Sequence, residues 1–205
     1  ETKLVARAGR TNNHFGASVS ISGERVIVGA PGDSEKGIPS GSAYVFRYNG
    51  VRWELEARLV ARDGRARDEF GSSVFISGER AIVGAPGDDD RGKQSGSAYV
   101  FKYTGTDWVQ EVRLIARDGS ANDVFGHSVS LDETLAIVGA HGDGDRGKQS
   151  GSATIFKRTG RGWAREKKLV ALDGGATDFF GFSVSISGNR AFVGAHGNGH
   201  KGPRS

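Results

Sequence analysis

Acidic residues in one recurring loop are the first candidates for chemistry in this chain. Each loop places two acids two positions apart, shortly before a glycine. Alternate loop residues can turn their carboxylates towards one centre, and calcium binds several oxygen ligands of this kind. The sequence therefore predicts a Ca²⁺ site in each loop and no other cofactor. The predicted ligands are Asp33, Glu35, Asp88, Asp90, Asp143 and Asp145.

Two features of these loops favour a different interpretation. Each acid pair lies beside a lysine or arginine, and the corresponding stretch Asn198-Gly199-His200 carries no acid. The full series of alternating acids with a distal glutamate, typical of dedicated calcium loops, is also absent. A solvated acidic turn held by local hydrogen bonds is the competing interpretation.

One tryptophan recurs at a fixed position and is the candidate for ligand stacking. Trp53, Trp108 and Trp163 lie 55 residues apart. An indole ring can stack on a sugar, so these residues are the predicted ligand-binding side chains of a carbohydrate-binding protein. Packing between sheets is the alternative, because an aromatic residue at an unvarying position usually has a structural role.

A second set of acids recurs before each Phe-Gly dipeptide. Paired carboxylates can hydrolyse glycosides, but their return in three copies favours turn capping or contacts between repeats. The pairs are Asp63 with Asp68, Asp118 with Asp123, and Asp173 with Asp178.

The histidines, by contrast, break the repeat. His141 and His196 stand where the first two copies have Pro31 and Pro86. If neighbouring copies brought them together with His200, they would suit a transition metal. Solvated loop histidines are the alternative.

These residues are set in a tandem array with a period of 55 residues. Phe-Gly occurs at Phe15, Phe70, Phe125 and Phe180, without insertion or deletion between copies. Such a period is typical of repeat architectures, in which each unit packs on its neighbours. The predicted repeats are 3–57, 58–112, 113–167 and a truncated 168–205, within one repetitive domain. The pattern predicts that both ends belong to a longer array.

Each copy contains four predicted strands and no helical period. The strands are expected near residues 15–21, 25–30, 43–46 and 53–60, with turns at Ser22-Gly23 and Asn49-Gly50. Phe-Gly is expected to begin the first strand, with glycine allowing close packing. The sequence therefore predicts an all-β fold, a β-propeller of four-stranded antiparallel blades with about 3.7 blades present. A β-solenoid is the competing architecture.

Composition excludes several classes of function. The 205 residues carry a net charge of +4, with acids and bases interleaved, so nucleic acid is not an expected partner. No apolar run approaches the roughly 20 residues that span a bilayer, so membrane insertion is not expected. The absence of cysteine excludes disulfides, thiolate metal sites and a cysteine nucleophile.

The order of motifs resembles the FG-GAP repeat family. Phe-Gly is followed by Val-Gly-Ala-Pro-Gly-Asp at 83–88, Gly-Ser-Ala-Tyr-Val-Phe at 96–101, a tryptophan and a Leu-Val-Ala type strand. This resemblance covers essentially the whole chain and implies the blade of integrin α-subunit propellers and their bacterial and algal relatives. Such propellers usually have seven blades, which implies that this chain forms a partial ring or one completed by assembly. Many integrin relatives bind calcium between the first two strands, where this chain has only Ser-Gly-Glu-Arg, so that site does not transfer.

The resemblance implies a non-enzymatic binding scaffold, extracellular or on the cell surface, that serves adhesion or protein assembly through its propeller loops. A protein or glycan ligand on the loop face and self-association through open blade ends are the expected partners. A lectin with repeated sites between blades and a structural subunit of an extracellular polymer are the alternatives. An enzyme is not expected, because no nucleophile motif or unique acid/base pair is present.

Overall fold

The computed structural model describes residues 2–6, 12–33 and 40–197, and all of its regular structure is β. These residues form no helix, and accordingly none that could cross a membrane. The strands are β1 Val19–Ser22, β2 Arg25–Ala30, β3 Ser42–Tyr48, β4 Trp53–Leu59, β5 Ser73–Ser77, β6 Arg80–Ala85, β7 Ser97–Tyr103, β8 Trp108–Leu114, β9 Ser128–Leu131, β10 Leu135–Ala140, β11 Ser152–Thr159, β12 Gly162–Leu169, β13 Ser183–Ser187 and β14 Arg190–Gly194.

The strands form four antiparallel sheets, here called blades 1 to 4, each a meander in chain order. Blades 1 to 3 have four strands each, and blade 4 comprises β13 and β14. First strands of neighbouring blades contact one another, whereas the fourth strands lie farther apart, so the sheets diverge outwards. This confirms the prediction of an all-β partial propeller. Each fourth strand runs two residues past a predicted repeat boundary, as β4 does by ending at Leu59 rather than 57.

The hydrophobic core lies between blades rather than within one. Ile27 and Val45 of blade 1 pack with Val74, Ile76 and residues of β6 and β7 in one buried cluster. Similar clusters join blade 2 to blade 3 and blade 3 to blade 4. Because a strand buries alternate residues on its two faces, each inner blade offers one apolar face to each neighbour. One blade alone would leave both faces uncovered.

The expectation that Phe-Gly begins the first strand is wrong. Phe70 and Gly71 form a turn before β5, because Gly71 has φ +97°, a left-handed conformation outside the strand region. The Phe70 amide donates to the Ser40 carbonyl at 3.0 Å and pairs this turn with Gly41 of the preceding blade. A side chain on Gly71 would clash with the Ser42 carbonyl. The dipeptide is a backbone link between blades.

The two ends of each blade carry different connections. At one end, tight hairpins such as Gly23-Glu24 join the first two strands. At the other end, called here the loop end, the second strand ends and the third begins, and the Phe-Gly turn lies there too. The predicted calcium ligands that the structure describes, Asp33, Asp88, Asp90, Asp143 and Asp145, therefore fall at the loop end.

Candidate functional site

The first acid of the blade 2 loop, Asp88, is buried and hydrogen-bonded to side chains of its own blade. Asp88 follows β6, Ser97 begins β7 and Arg113 lies near the end of β8, so the antiparallel meander brings all three to the loop end. The Asp88 carboxylate accepts hydrogen bonds from the Ser97 hydroxyl at 2.9 Å, the Arg113 guanidinium at 2.6 Å and the Tyr99 hydroxyl at 3.3 Å. Hydrogen bonds from a cation stabilise a buried carboxylate that would otherwise be costly.

Blade 1 repeats this arrangement. The buried Asp33 carboxylate accepts hydrogen bonds from Ser42 and Tyr44, both at 2.5 Å, and from Arg58 at 3.1 Å. Burial raises the pKa of Asp33, but these donors outweigh it and hold the pKa below its ordinary value. Burial and the Asp33 carboxylate raise the pKa of Tyr44 to about 12. The other predicted ligand of this loop, Glu35, lies outside the described residues.

In blade 3 a lysine takes the place of the arginine. The Lys168 ammonium lies 2.6 Å from Asp143, 2.5 Å from Asp145 and 3.0 Å from Asp118. Burial lowers the pKa of Lys168, but hydrogen bonds to the three carboxylates raise it above its ordinary value. Lys168 is therefore a protonated centre for three acids, one of which comes from the segment before the blade.

Arg113 has the same role in blade 2. Besides Asp88 it binds Asp90 and, at 3.1 Å, Asp63. The hydrogen bond from Arg113 is the main reason that the pKa of Asp90 is low. A cationic side chain thus occupies the centre of both acid clusters, and a calcium ion would have to displace it. The described residues contain no group of three or more acids and histidines arranged to hold a metal. As they stand, the clusters do not fit calcium, and its binding stays a prediction.

The acids before Phe-Gly cap turns, as the preferred interpretation expected. The Asp68 carboxylate accepts the amide N–H of Arg65 at 2.6 Å, and Asp123 accepts that of Ser120 at 2.7 Å. Burial raises the pKa of Asp68 to about 6, with the Asp88 charge adding to the rise. Asp178 makes the equivalent bond to Gly175 at 2.7 Å.

The predicted sugar-stacking tryptophans are half-buried on the fourth strands. The Trp108 indole N–H donates at 2.9 Å to Glu56 of blade 1, whose carboxylate also binds Arg25 through two hydrogen bonds of 2.8 Å. This contact joins blade 1 to blade 2, which is the structural role weighed above. Trp53 instead packs on Tyr48, with ring centroids 5.5 Å apart. Sugar binding by these residues stays a prediction.

Trp163 differs from Trp108 in one respect. Burial raises the pKa of Glu111, but Arg80, with smaller contributions from Trp163 and Arg158, brings it below its ordinary value. The buried indole N–H of Trp163 nevertheless lies outside hydrogen-bonding geometry with any partner. The tryptophan position is therefore constant in the sequence but not in its contacts.

Residues that break the repeat form one aromatic cluster at the loop end of blades 3 and 4, called here the aromatic patch. Phe182 packs against His127 and His196, with ring centroids 4.8 and 4.3 Å apart, and His127 lies 4.2 Å from His141. Phe179 stacks on His196 at 5.0 Å. His141 and His196 are thus close, as one hypothesis required, but Phe182 lies beside both. The third residue of that hypothesis, His200, is outside the described residues.

Sequence reasoning missed His127, Phe179 and Phe182 as members of this patch. The signal was present, because the residue after Phe-Gly is Ala17, Ser72, His127 and Phe182 in successive copies. Nothing in the linear order shows that this position lies beside the Pro/His position of the following loop.

Burial favours the uncharged form of two imidazoles in the patch, those of His127 and His141. It lowers the pKa of His141 to about 4, with the charges of His127 and His196 adding to the effect. Burial also lowers the pKa of His127. The buried Nδ1 of His141 has no hydrogen-bond partner. At neutral pH these two side chains are therefore uncharged aromatic rings.

Strained backbone fixes the side chains next to the patch. The residues on either side of the capping aspartate have positive φ, 66° at Thr177 and 56° at Phe179. Their amides donate to the carbonyls of Lys148 and Gln149 at 2.8 and 3.1 Å. Non-glycine residues keep such dihedrals only where surrounding contacts impose them. The loop of blade 3 therefore orients Phe179 of blade 4.

A groove lined in part by charged side chains occupies the equivalent position between blades 1 and 2. It has a volume of about 850 Å³. Its lining includes Glu69 and Ser72, the counterparts of Phe179 and Phe182, and Pro31, the counterpart of His141. Arg67 and Lys93 add positive charge to it. The loop end therefore carries a charged groove on one half and the aromatic patch on the other, and together these form the variable face.

A comparison with known protein families identifies the repeat. A family model described as the FG-GAP repeat matches residues 1–46, 53–101, 108–156 and 163–205. No curated protein matches the chain. Among solved structures, the crystal structure of Sqt1 from Saccharomyces cerevisiae is similar with a TM-score of 0.48 and 10% identity, over 78% of this chain and 37% of that one. The four family matches together cover nearly the whole chain, so the chain belongs to the FG-GAP repeat family.

Proposed function

We propose that this protein is a non-enzymatic binding scaffold, extracellular or on the cell surface, that serves adhesion or assembly through its variable face. One observation carries the proposal: several residues at positions where the copies differ meet at the loop end, in the groove between blades 1 and 2 and in the aromatic patch of blades 3 and 4. Membership of the FG-GAP family, whose integrin members the sequence resembles, supports the adhesive role.

The chemistry of the variable face fits a protein ligand. The aromatic patch offers a cluster of rings, of which Phe182 and His196 are exposed. The groove between blades 1 and 2 offers Arg67, Glu69 and Lys93 for polar contacts. Aromatic anchors beside charged side chains are typical of protein-binding surfaces. Because local contacts fix the backbone here, binding would cost little conformational entropy.

A displayed library of random peptides tests this proposal, because it samples ligands of many different sequences at once. The 205-residue chain is immobilised, and enriched peptides are measured against a variant whose patch carries the residues of blades 1 and 2: His127→Ser, His141→Pro, Phe182→Ser and His196→Pro. We expect enriched peptides to lose at least about tenfold in affinity on this variant, since patch anchors contribute most of the binding energy.

The matched control is Val51→Ser, because Val51 is 85% exposed in a turn at the opposite end of blade 1. This variant should bind the selected peptides as the original chain does. Peptides that bind the patch variant and the original chain equally, or a library that yields no enrichment, would overturn the proposal. Thermal unfolding of both variants verifies that they are folded.

A further inference from the structure

The array exposes one sheet face at each end of the stack of blades. The head face is the side of blade 1 turned away from blade 2, where Val19 and Ile21 are each 65% exposed. Their counterparts in blade 2, Val74 and Ile76, are 5% and 2% exposed because blade 1 covers them. Exposed apolar residues on a sheet face indicate a contact surface.

The tail face is the side of blade 4 turned away from blade 3. Phe192 on this face is 73% exposed, whereas its counterparts Ile27, Ile82 and Ile137 are fully buried by the following blade. The two end faces are therefore the two halves of an interface that the molecule already forms three times.

The contact between blades 1 and 2 defines what such an interface contains. The Ser18 and Ser20 hydroxyls accept the amide N–H groups of Val74 and Ile76 at 3.0 and 3.2 Å. The Arg25 guanidinium lies 4.2 Å from the Tyr103 ring centre. A hydroxyl ladder and a cation–π contact thus accompany the apolar packing.

The end faces carry the same residues in the same places. On the tail face, Ser183, Ser185 and Ser187 stand where blade 1 has Ser18, Ser20 and Ser22, and Arg190 stands where it has Arg25. Blades 2 and 3 lack this full set, because they have Phe75, Asp132 and Leu135 at three of these positions.

The head face supplies the matching half. Its Tyr48–Trp53 ring pair has a centroid separation of 5.5 Å, against 5.6 Å for the Tyr103–Trp108 pair that Arg25 covers in blade 2. Val19 and Ile21 correspond in type and position to Val74 and Ile76.

The covered and open parts of the two faces are also complementary. Leu4 and Ala6 pack on the outer part of the head face, as their counterparts Leu59 and Ala61 pack against blade 2. This leaves open the inner part, where the first two strands of a preceding blade would lie. The described strands of blade 4 are the first two strands of a blade.

We propose that a second copy of this chain docks its head face on the tail face and continues the stacking of blades across the junction. The contact is heterologous, because each copy uses a different face and keeps one face free. Tail residues Ser183, Ser185 and Arg190 would bind the amides of Val19 and Ile21 and the Tyr48–Trp53 pair. The proposal does not depend on the variable face.

Sedimentation velocity of the 205-residue chain, over a hundredfold range of concentration, tests this junction. We expect the mass to rise with concentration in multiples of one chain. Ile21→Asp removes the head and Phe192→Asp removes the tail, so each variant alone should remain monomeric. A 1:1 mixture should form dimers and nothing larger, because only one intact head and one intact tail remain.

Both positions are exposed, so these substitutions should leave the fold intact, and unfolding curves verify this. Ser185→Lys is a second tail variant, since lysine cannot accept the amide, and should weaken association at least about tenfold. Leu172→Asp is the control, because Leu172 is exposed but lies on neither face, and should associate normally. A chain that stays monomeric throughout, or a mixture of the two aspartate variants that stays monomeric, would overturn the proposal.

Discussion

Replacing Arg113 with methionine tests whether the cationic centre of blade 2 compensates the buried acids around it. The substitution keeps a long apolar stem but leaves Asp88 buried and without its cation. Breaking a buried ion pair by removing one partner costs about 3–5 kcal/mol. Asp63 and Asp90 are at least a third exposed and screened by water, so we count only Asp88 and expect about 3 kcal/mol.

Thermal and urea unfolding measure this loss. A protein of this size loses roughly 2–4 °C in Tm per kcal/mol, so Arg113→Met should unfold roughly 6–12 °C below the original chain. Arg113→Lys is the matched control, because blade 3 uses Lys168 at this position, and should cost about 1 kcal/mol or less.

The pH dependence of the deficit gives a second readout with a definite sign. Arg113 holds the pKa of Asp90 low in the folded chain, and Arg113→Met removes this stabilisation of the charged carboxylate. The resulting loss in the free energy of unfolding is present where the carboxyls are charged and disappears as they take up protons. The deficit should therefore shrink as the pH falls from 7 to 4. A loss below 1 kcal/mol at pH 7, or equal losses for the lysine and methionine variants, would refute the reasoning.

Three further predictions follow from the other contacts. The pKa of His141 falls from 6.5 to about 4 in the fold, so the unfolded chain binds a proton that the folded chain does not, and stability is lost as the pH drops through this window. The pKa of Asp68 is raised in the fold, so its contribution to stability changes with pH in the opposite direction. We therefore measure the Tm of His141→Pro relative to that of the original chain, which contains the same Asp68 contribution. This difference should increasingly favour the variant as the pH falls from 7.5 to 4.5, and a constant difference would contradict the prediction. Trp108→Phe should lower Tm by roughly 2–4 °C through loss of the hydrogen bond to Glu56, whereas Trp163→Phe, whose N–H has no partner, should cost less; equal losses would show that ring size alone matters. Calorimetric titration with calcium should give no heat with the original chain and weak, roughly millimolar binding with Lys168→Ser, which frees Asp118, Asp143 and Asp145; strong binding by the original chain would show that calcium displaces Lys168.

Local patterns determined the scaffold in advance. Alternation of apolar residues and the 55-residue period predicted the strand order, as the close agreement of β2 and β4 with residues 25–30 and 53–60 shows. These features depend on neighbouring residues in the chain, which a sequence displays directly. Phe-Gly was misplaced because its conformation depends on the backbone of the preceding blade, and Ser40 and Ser42 lie about thirty residues away.

The sequence alone determined the family, the all-β repeat and the positions at which the copies differ. Only the tertiary structure decided what the candidate residues contact: Arg113 and Lys168 lie at the centre of the acid clusters, and Trp108 is hydrogen-bonded to the preceding blade. It also brings together one aromatic patch of His127, His141, Phe179, Phe182 and His196. The physical reason is distance along the chain. These contacts join residues more than ten, and often about fifty, positions apart, and they form only when blades stack and bury their shared faces.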